Sequence, residues 1–388
     1  VDSDSYELRV GGAPRQIEPQ VFDLLRLLAE NPGRLIGRDE LVERVWDGRI
    51  VSESTISARI NAARKAVGDD GVRQAVIKTV PRRGIKLVAE VKREGEASAS
   101  GEAPPDGTPQ RVRFCHSSDG TRLAVGISGS GPPLLRAGHW LTHLQHDWQS
   151  PIWRPFLTRF GSSFTLIRYD QRGNGLSDRV VDDLSLDAFV ADLAAVADSA
   201  ELERFPIYAT SQGVPVAIAF AARYPERVSA LVLHGGYARG RLLRSEDARG
   251  EAEAYIALMR QGWGAEGSHF LQAFASIFIP DGTAEQIRSL VDLQRMTTSV
   301  ENAVRLRQSF DSFDVSELLA SVKAPCLVVH GRNDGVHPLQ GSLDIAGAID
   351  HAEMLVLESR DHVLLEQEPA WEEFFAALRG FLARPASG

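Results

Sequence analysis

The sequence predicts two domains: a small α+β domain, then a larger α/β domain whose mostly parallel sheet is covered by helices on both faces. Three observations predict this. At 388 residues, 43% of them apolar and 24% charged, the chain exceeds one ordinary globular domain. A tract rich in Gly, Ala, Ser and Pro, EGEASASGEAPPDGTPQ over 94–110, carries no apolar periodicity and divides the chain. Beyond it strand-like and helix-like runs alternate, whereas before it helices lie between short strands. The expected boundaries are 1–93 for the first domain, 94–110 for a flexible linker and 111–388 for the second domain.

In the first domain, residues 6–17 form short strands. Pro19 then opens a helix carrying Phe22, Leu24, Leu25, Leu27 and Leu28, ended by Asn31-Pro32-Gly33. A second helix, 38–46, rests on Leu41, Val42 and Val45. Ser52 or Ser54 caps a third, whose inner stripe is Ile56, Ile60, Ala63 and Val67 and whose opposite face shows Ser57, Asn61, Arg64 and Lys65. A hairpin follows, 76–80 with 85–89, turned by Pro81-Arg82-Arg83-Gly84, where Gly84 supplies a positive φ. Although the chain carries −9 overall, residues 54–93 hold 10 basic against 3 acidic residues, which concentrates positive field on the third helix and the hairpin. Residues after 94 hold 26 basic against 37 acidic ones, so only the amino-terminal end is suited to attract DNA.

This order of elements resembles the OmpR/PhoB-type winged helix, most closely its CadC-like branch, through the Val-Pro-Arg-Arg-Gly wing at 80–84. Ile85 departs from the aromatic common there. The resemblance covers about 5–92 and implies a third helix in the major groove, with the wing at phosphates or the neighbouring minor groove. Ser54, Thr55, Ser57, Asn61, Arg64, Lys65, Arg82 and Arg83 are the DNA contacts it implies, and double-stranded DNA is the expected partner.

A flexible linker of some sixteen residues spans roughly 20–24 Å and transmits no strain, so a homodimer on DNA would be arranged by the larger domain or by the DNA. No apolar stretch reaches the roughly 20 residues a membrane helix needs, and no basic-then-apolar segment opens the chain, so no membrane partner and a cytoplasmic location are expected. Cys115 and Cys326 form no CxxC pair or disulfide framework.

In the second domain strands are expected at 111–115, 123–127, 133–137, 164–169, 206–208, 230–233, 326–330 and 354–357. Three reactive residue types follow strands in chain order: Ser211 in Ala209-Thr210-Ser211-Gln212-Gly213, Asp334 in His330-Gly331-Arg332-Asn333-Asp334, and His362 after Arg360-Asp361. An alcohol is a weak nucleophile until an imidazole takes its proton, and the imidazole needs a carboxylate to hold its tautomer. An oxyanion needs preorganised amides, expected from Gln212 at the helix start and from His139 or Trp140 after the third strand.

Residues 111–388 resemble the α/β-hydrolase family, especially hydrolase-like domains fused to bacterial regulators. Ala209 stands where the elbow usually has glycine, Ala137-Gly138 where His-Gly is common, and Val214-Pro215 follows the elbow. Residues 239–318 read as a helical lid, with Thr283 and Gln286 as a capping box. Trp140, His143, Trp148, Trp263 and Phe274 are the expected pocket residues, suited to a mainly apolar ligand. His139, His143, His146 and Asp147 lack the ordered helical context of a metal site, so neither metal nor cofactor is expected.

Together these features predict a one-component transcription regulator. Its hydrolase-fold domain would receive a small, mainly apolar ester, lactone or amide at Ser211, Asp334 and His362, with or without turnover. The alternative is a serine hydrolase whose winged helix serves only localisation or protein contact.

Overall fold

The computed structural model describes residues 8–10, 13–15, 18–31, 33–46, 51, 53–70, 73–80, 83–89, 110–263 and 268–384. The chain divides into two units at residues 102/103. In the first, β1 (Leu8–Val10) pairs antiparallel with β2 (Ala13–Arg15), and three helices follow: α1 (Pro19–Glu30), α2 (Arg38–Trp46) and α3 (Glu53–Ala66). Pro19 at the start of α1 fixes a helical φ where no N–H is required. The apolar stripes of all three helices meet at Leu24, Leu28, Leu41, Ile56 and Ala63.

The hairpin β3 (Ile77–Val80) and β4 (Gly84–Leu87) closes this core with Ile77, Ile85 and Leu87. Gly84 has φ 133°, and a Cβ there would lie 1.9 Å from Ile36 O. Glycine is therefore required, because Ile36 bridges Ile85 as an extra antiparallel rung. Aliphatic Ile85 fills the site at 2% exposure.

Asp69, just past α3, ties that helix to the hairpin. Burial alone would raise its pKa, but its carboxylate accepts from the backbone N–H groups of Asp70, Ala75, Val76 and Ile77 at 2.8–3.0 Å and is held at about 2. Because the native pKa lies below the unfolded one, this stabilisation is present above about pH 4 and is lost as pH falls from about 4 to 2. Hydrogen exchange at the Val76 and Ile77 amides is expected to quicken across that window in the wild type. In Asp69→Asn, which cannot ionise, it should lose the pH dependence.

The second unit is built on one eight-stranded sheet in the order β12-β11-β10-β9-β7-β8-β6-β5. Its strands are β5 (Arg111–His116), β6 (Arg122–Ser128), β7 (Pro133–Arg136), β8 (Thr165–Asp170), β9 (Phe205–Thr210), β10 (Val228–His234), β11 (Cys326–Gly331) and β12 (Ala352–Leu357). β6 runs antiparallel to both β5 and β8, and the remaining pairs are parallel. Parallel strands carry helical crossovers on both faces, which explains why Leu231, Val232 and Leu233 are buried consecutively.

The helices are α4 (Leu144–Gln149), α5 (Trp153–Gly161), α6 (Leu186–Ser199), α7 (Gly213–Arg223), α8 (Glu246–Gly262), α9 (His269–Phe278), α10 (Ala284–Thr297), α11 (Val300–Asp311), α12 (Leu339–Ala348) and α13 (Pro369–Leu382). α8 to α11 lie between β10 and β11, where the sequence predicts a helical insertion, and α10 begins with the Thr283–Gln286 capping box. Among the described residues no helix is long and apolar enough to cross a membrane.

A buried ion cluster fixes the loop after β8. Arg172, 1% exposed, is bidentate to Asp192 of α6 at 2.6 and 2.8 Å and also donates to Asp119 at 2.8 Å and to Asp183 O at 2.9 Å. One guanidinium thus joins the β5–β6 turn, the loop and α6.

Candidate active site

Parallel strands present their carboxyl ends on one edge of the sheet, and β7, β9, β11 and β12 deliver their following loops there. Ser211 occupies the turn from β9 into α7 with φ 55°, a left-handed conformation that costs a non-glycine residue about 1–3 kcal/mol. Its N–H donates to His234 O at 3.0 Å and its carbonyl accepts from Val214 N at 3.0 Å, which hold the turn. A Cβ on Gly213 would lie 2.5 Å from Gly138 O, so only glycine lets the start of α7 approach the loop after β7 so closely. Ala209 adds its methyl without disturbing β9, which keeps its register with β10 through Thr210. Pro215 falls in the first turn of α7, where its missing N–H is harmless.

His362 Nδ1 lies 2.7 Å from Asp334 Oδ2. Asp334 Oδ1 accepts from the N–H groups of Val336 (2.7 Å) and His337 (3.3 Å). Burial raises the Asp334 pKa, but His362 and these donors outweigh it and keep the carboxylate below its ordinary range, hence ionised. An ionised carboxylate on Nδ1 leaves the imidazole lone pair on Nε2. The hydrogen bond that Ser211 Oγ makes, however, goes to a different histidine, His337 Nε2 at 3.4 Å. The His337 ring is 5.4 Å from the His362 ring, and burial, reinforced by His362, keeps it neutral.

Ser211, His362, His139, Trp140, Phe274 and Gln294 line one tight apolar cavity of about 40 Å³. Gln212 follows Ser211 as the buried N-cap of α7.

Residues 143–369, more than half of the chain, match the family model described as alpha/beta hydrolase fold. The chain belongs to the α/β-hydrolase fold family. Its hydrolase domain is similar to pyrrolizixenacetamide deacetylase of Xenorhabdus hominickii, 26% identical over 277 residues that cover 70% of this chain and 94% of that protein. Its fold is shared with a crystallised hydrolase from Pseudomonas aeruginosa (TM-score 0.60, 23% identity, 71% of this chain and 99% of that one). An esterase from Exiguobacterium antarcticum shares it equally well (TM-score 0.60, 20% identity, 71% and 100%). Residues 12–87 match the model described as Transcriptional regulatory protein, C terminal. Transcriptional activator CadC of Escherichia coli K12 is 35% identical over 163 residues, 41% of this chain and 30% of that protein. The amino-terminal unit is accordingly an OmpR/PhoB-type winged helix, a DNA-binding domain, ahead of the hydrolase fold.

Three expected pocket residues of the hydrolase domain are not in the cavity lining. His143 caps α4, its Nδ1 accepting from His146 N. Trp263 packs edge-on behind Trp140, ring centroids 6.0 Å apart, and Trp148 packs on the core. Asp147, at 0% exposure, pairs with Arg168 at 3.0 Å. Sequence reasoning missed Gln294 on α10. It is fully buried in the cavity wall, and among the described residues neither of its amide atoms has a partner; Trp140 Nε1 and His139 Nε2 are likewise unpaired.

In the winged helix, Ser57, Asn61 and Lys65 are exposed along α3, Thr55 is half-buried and Arg83 is exposed beside the hairpin. Arg64 is a correction: it is 6% exposed, bonded to Ile77 O and Thr79 Oγ1, and so fastens α3 to β3 rather than facing outward. Arg82 and the side chain of Ser54 lie outside the described residues. The β3–β4 register adds a feature the sequence reading overlooked. Lys78 stands directly opposite Lys86, a like-charge pair that is unfavourable alone.

Proposed function

We propose that this protein is a DNA-binding regulator whose hydrolase domain receives a small acyl compound, an ester, lactone or amide, and hydrolyses it with Ser211 as nucleophile, His362 as base and Asp334 as its orienting carboxylate. The 2.7 Å Asp334–His362 bond at the cavity that holds Ser211 carries the reading. Ser211 Oγ attacks the carbonyl while His362 Nε2 takes its proton, which then passes to the leaving alcohol or amine. Water, deprotonated by the same nitrogen, releases the acid and restores Ser211. The amides of Gln212 and of His139 or Trp140 are the proposed oxyanion donors. Mainly apolar walls select an apolar acyl chain. The unpaired Gln294 amide supplies a polar contact that a bound ligand would satisfy, recovering about 1–3 kcal/mol.

Hydrolysis of p-nitrophenyl butyrate by wild type and by Ser211→Ala tests the chemistry. Loss of turnover in the variant supports it, and equal rates refute it. The Ser211–His337 bond favours a second reading, a sensor that binds without turnover. That reading predicts no release of nitrophenol by either protein and a ligand-dependent shift in Tm.

DNA contact is proposed for Ser54, Thr55, Ser57, Asn61, Lys65, Arg82 and Arg83, with Lys78 and Lys86 at phosphate. Binding is expected to weaken with salt at a slope of about −0.9 per phosphate neutralised, and Lys65→Ala with Arg83→Ala should flatten it by roughly two. A salt-independent affinity would favour the alternative, a hydrolase whose winged helix only localises it. A homodimer on two half-sites follows from the DNA-binding reading and is checked by sedimentation with and without DNA.

A further inference from the structure

A second, larger cavity of about 790 Å³ adjoins the first, and Phe274 and Phe278 line both. Its walls carry a concentration of cationic side chains: Arg241 and Arg244 from the turn before α8, Arg307 of α11 and Arg360 after β12. Two of these are neutralised, Arg307 by bidentate bonds to Asp311 (2.7 and 2.8 Å) and Arg360 by Asp281. Among the described residues no carboxylate lies within ion-pair distance of Arg241 or Arg244. Arg241 donates to Val336 O at 3.0 Å and lies over the Tyr255 ring; Arg244 donates to Arg239 O at 2.8 Å and lies over Tyr237.

The acidic groups lining the cavity are exposed Glu251 and Asp334, which is already engaged with His362. Burial disfavours both guanidinium charges and is the largest influence on each, while Asp311, shared with Arg307, offsets it only in part. Such a cluster is costly when empty and is relieved by an anion, for which a guanidinium fork offers paired donors. The cavity also borders the neighbours of Ser211 and His362. His337 lines it while bonding Ser211 Oγ, and Arg241 holds the carbonyl of the residue before His337. The 40 Å³ beside Ser211 cannot hold a whole metabolite, whereas the adjoining 790 Å³ can.

We propose that Arg241 and Arg244 form an anion subsite that takes the carboxylate of an acyl ligand whose apolar chain runs past Phe274 and Phe278 to Ser211. The ligand class is thus a monoester, lactone or amide of a dicarboxylic acid. This deepens the hydrolase reading and rests on it.

The test compares two six-carbon esters, mono-p-nitrophenyl adipate and p-nitrophenyl hexanoate, in the full-length protein. Wild type is expected to prefer the adipate by tenfold or more in kcat/KM. Arg241→Gln with Arg244→Gln should erase that preference, while Arg241→Lys with Arg244→Lys keeps part of it. A ratio taken within one protein is insensitive to the fraction folded. An unchanged ratio in the Gln variant, or no preference in wild type, overturns the subsite and leaves the hydrolase reading standing. If wild type cleaves neither ester, it is turnover that fails. Calorimetry of monomethyl adipate against dimethyl adipate then decides the subsite: a tenfold preference for the monoester that the Gln variant loses supports it, and equal binding overturns it.

Discussion

Asp334→Asn is expected to reduce turnover of p-nitrophenyl butyrate by about 10⁴-fold while leaving the fold intact. The side chain is nearly isosteric, and its Oδ1 can still accept from Val336 N and His337 N, so the loop after β11 keeps its shape. What changes is the partner of His362 Nδ1. An amide NH₂ at 2.7 Å donates where the carboxylate accepted, so the imidazole must carry its proton on Nε2 and loses the lone pair that would take the Ser211 proton. Initial rates at saturating ester, with circular dichroism as a control on folding, measure the effect. A loss of less than tenfold would show that Asp334 does not orient the base. His337 has no equivalent partner, since its Nδ1 is unpaired among the described residues, and cannot replace His362 as an oriented base.

Asp192→Ala is expected to be the most damaging single change for stability in the hydrolase domain, at about 3–5 kcal/mol. Removing that carboxylate leaves Arg172, 1% exposed, with only half-exposed Asp119, Ser117 and a backbone carbonyl, and breaks the join between α6 and the loop after β8. For a unit of this size each kcal/mol moves Tm by roughly 2–4 °C, so thermal unfolding should shift down by roughly 6–20 °C. Replacing the pair together, Arg172→Met with Asp192→Leu, is expected to recover much of the loss, because the greater part of the cost is one uncompensated buried charge. A shift of under 2 °C in the single variant would mean that water reaches Arg172.

Much of the architecture was legible because its signals are periodic. Consecutive apolar runs marked the parallel strands, and small residues marked the turn at Ser211 where backbones touch at Gly138. Signals that depend on the direction of a side chain were weaker. Arg64 belongs to the inner stripe by its spacing, four residues after Ile60, yet its charge suggested an outward face. A long side chain at that position instead turned inward to satisfy the Ile77 carbonyl. Trp263 and Trp148 are large and apolar, but bulk alone does not distinguish a wall from the packing behind it. Nor does local sequence indicate that the His337 ring turns back to Ser211, or that Arg241 and Arg244 share a chamber with a loop some ninety residues on.

The tightness of the space around Ser211 carries a thermodynamic consequence. A guest larger than a few water molecules enters that space only if its walls give way, and where Phe274 of α9 and Gln294 of α10 are the walls that yield, occupancy and the posture of those helices become one coupled equilibrium. Tighter binding therefore implies a larger population of the yielded posture, and any contact those helices make outside the chamber inherits the concentration dependence of the guest.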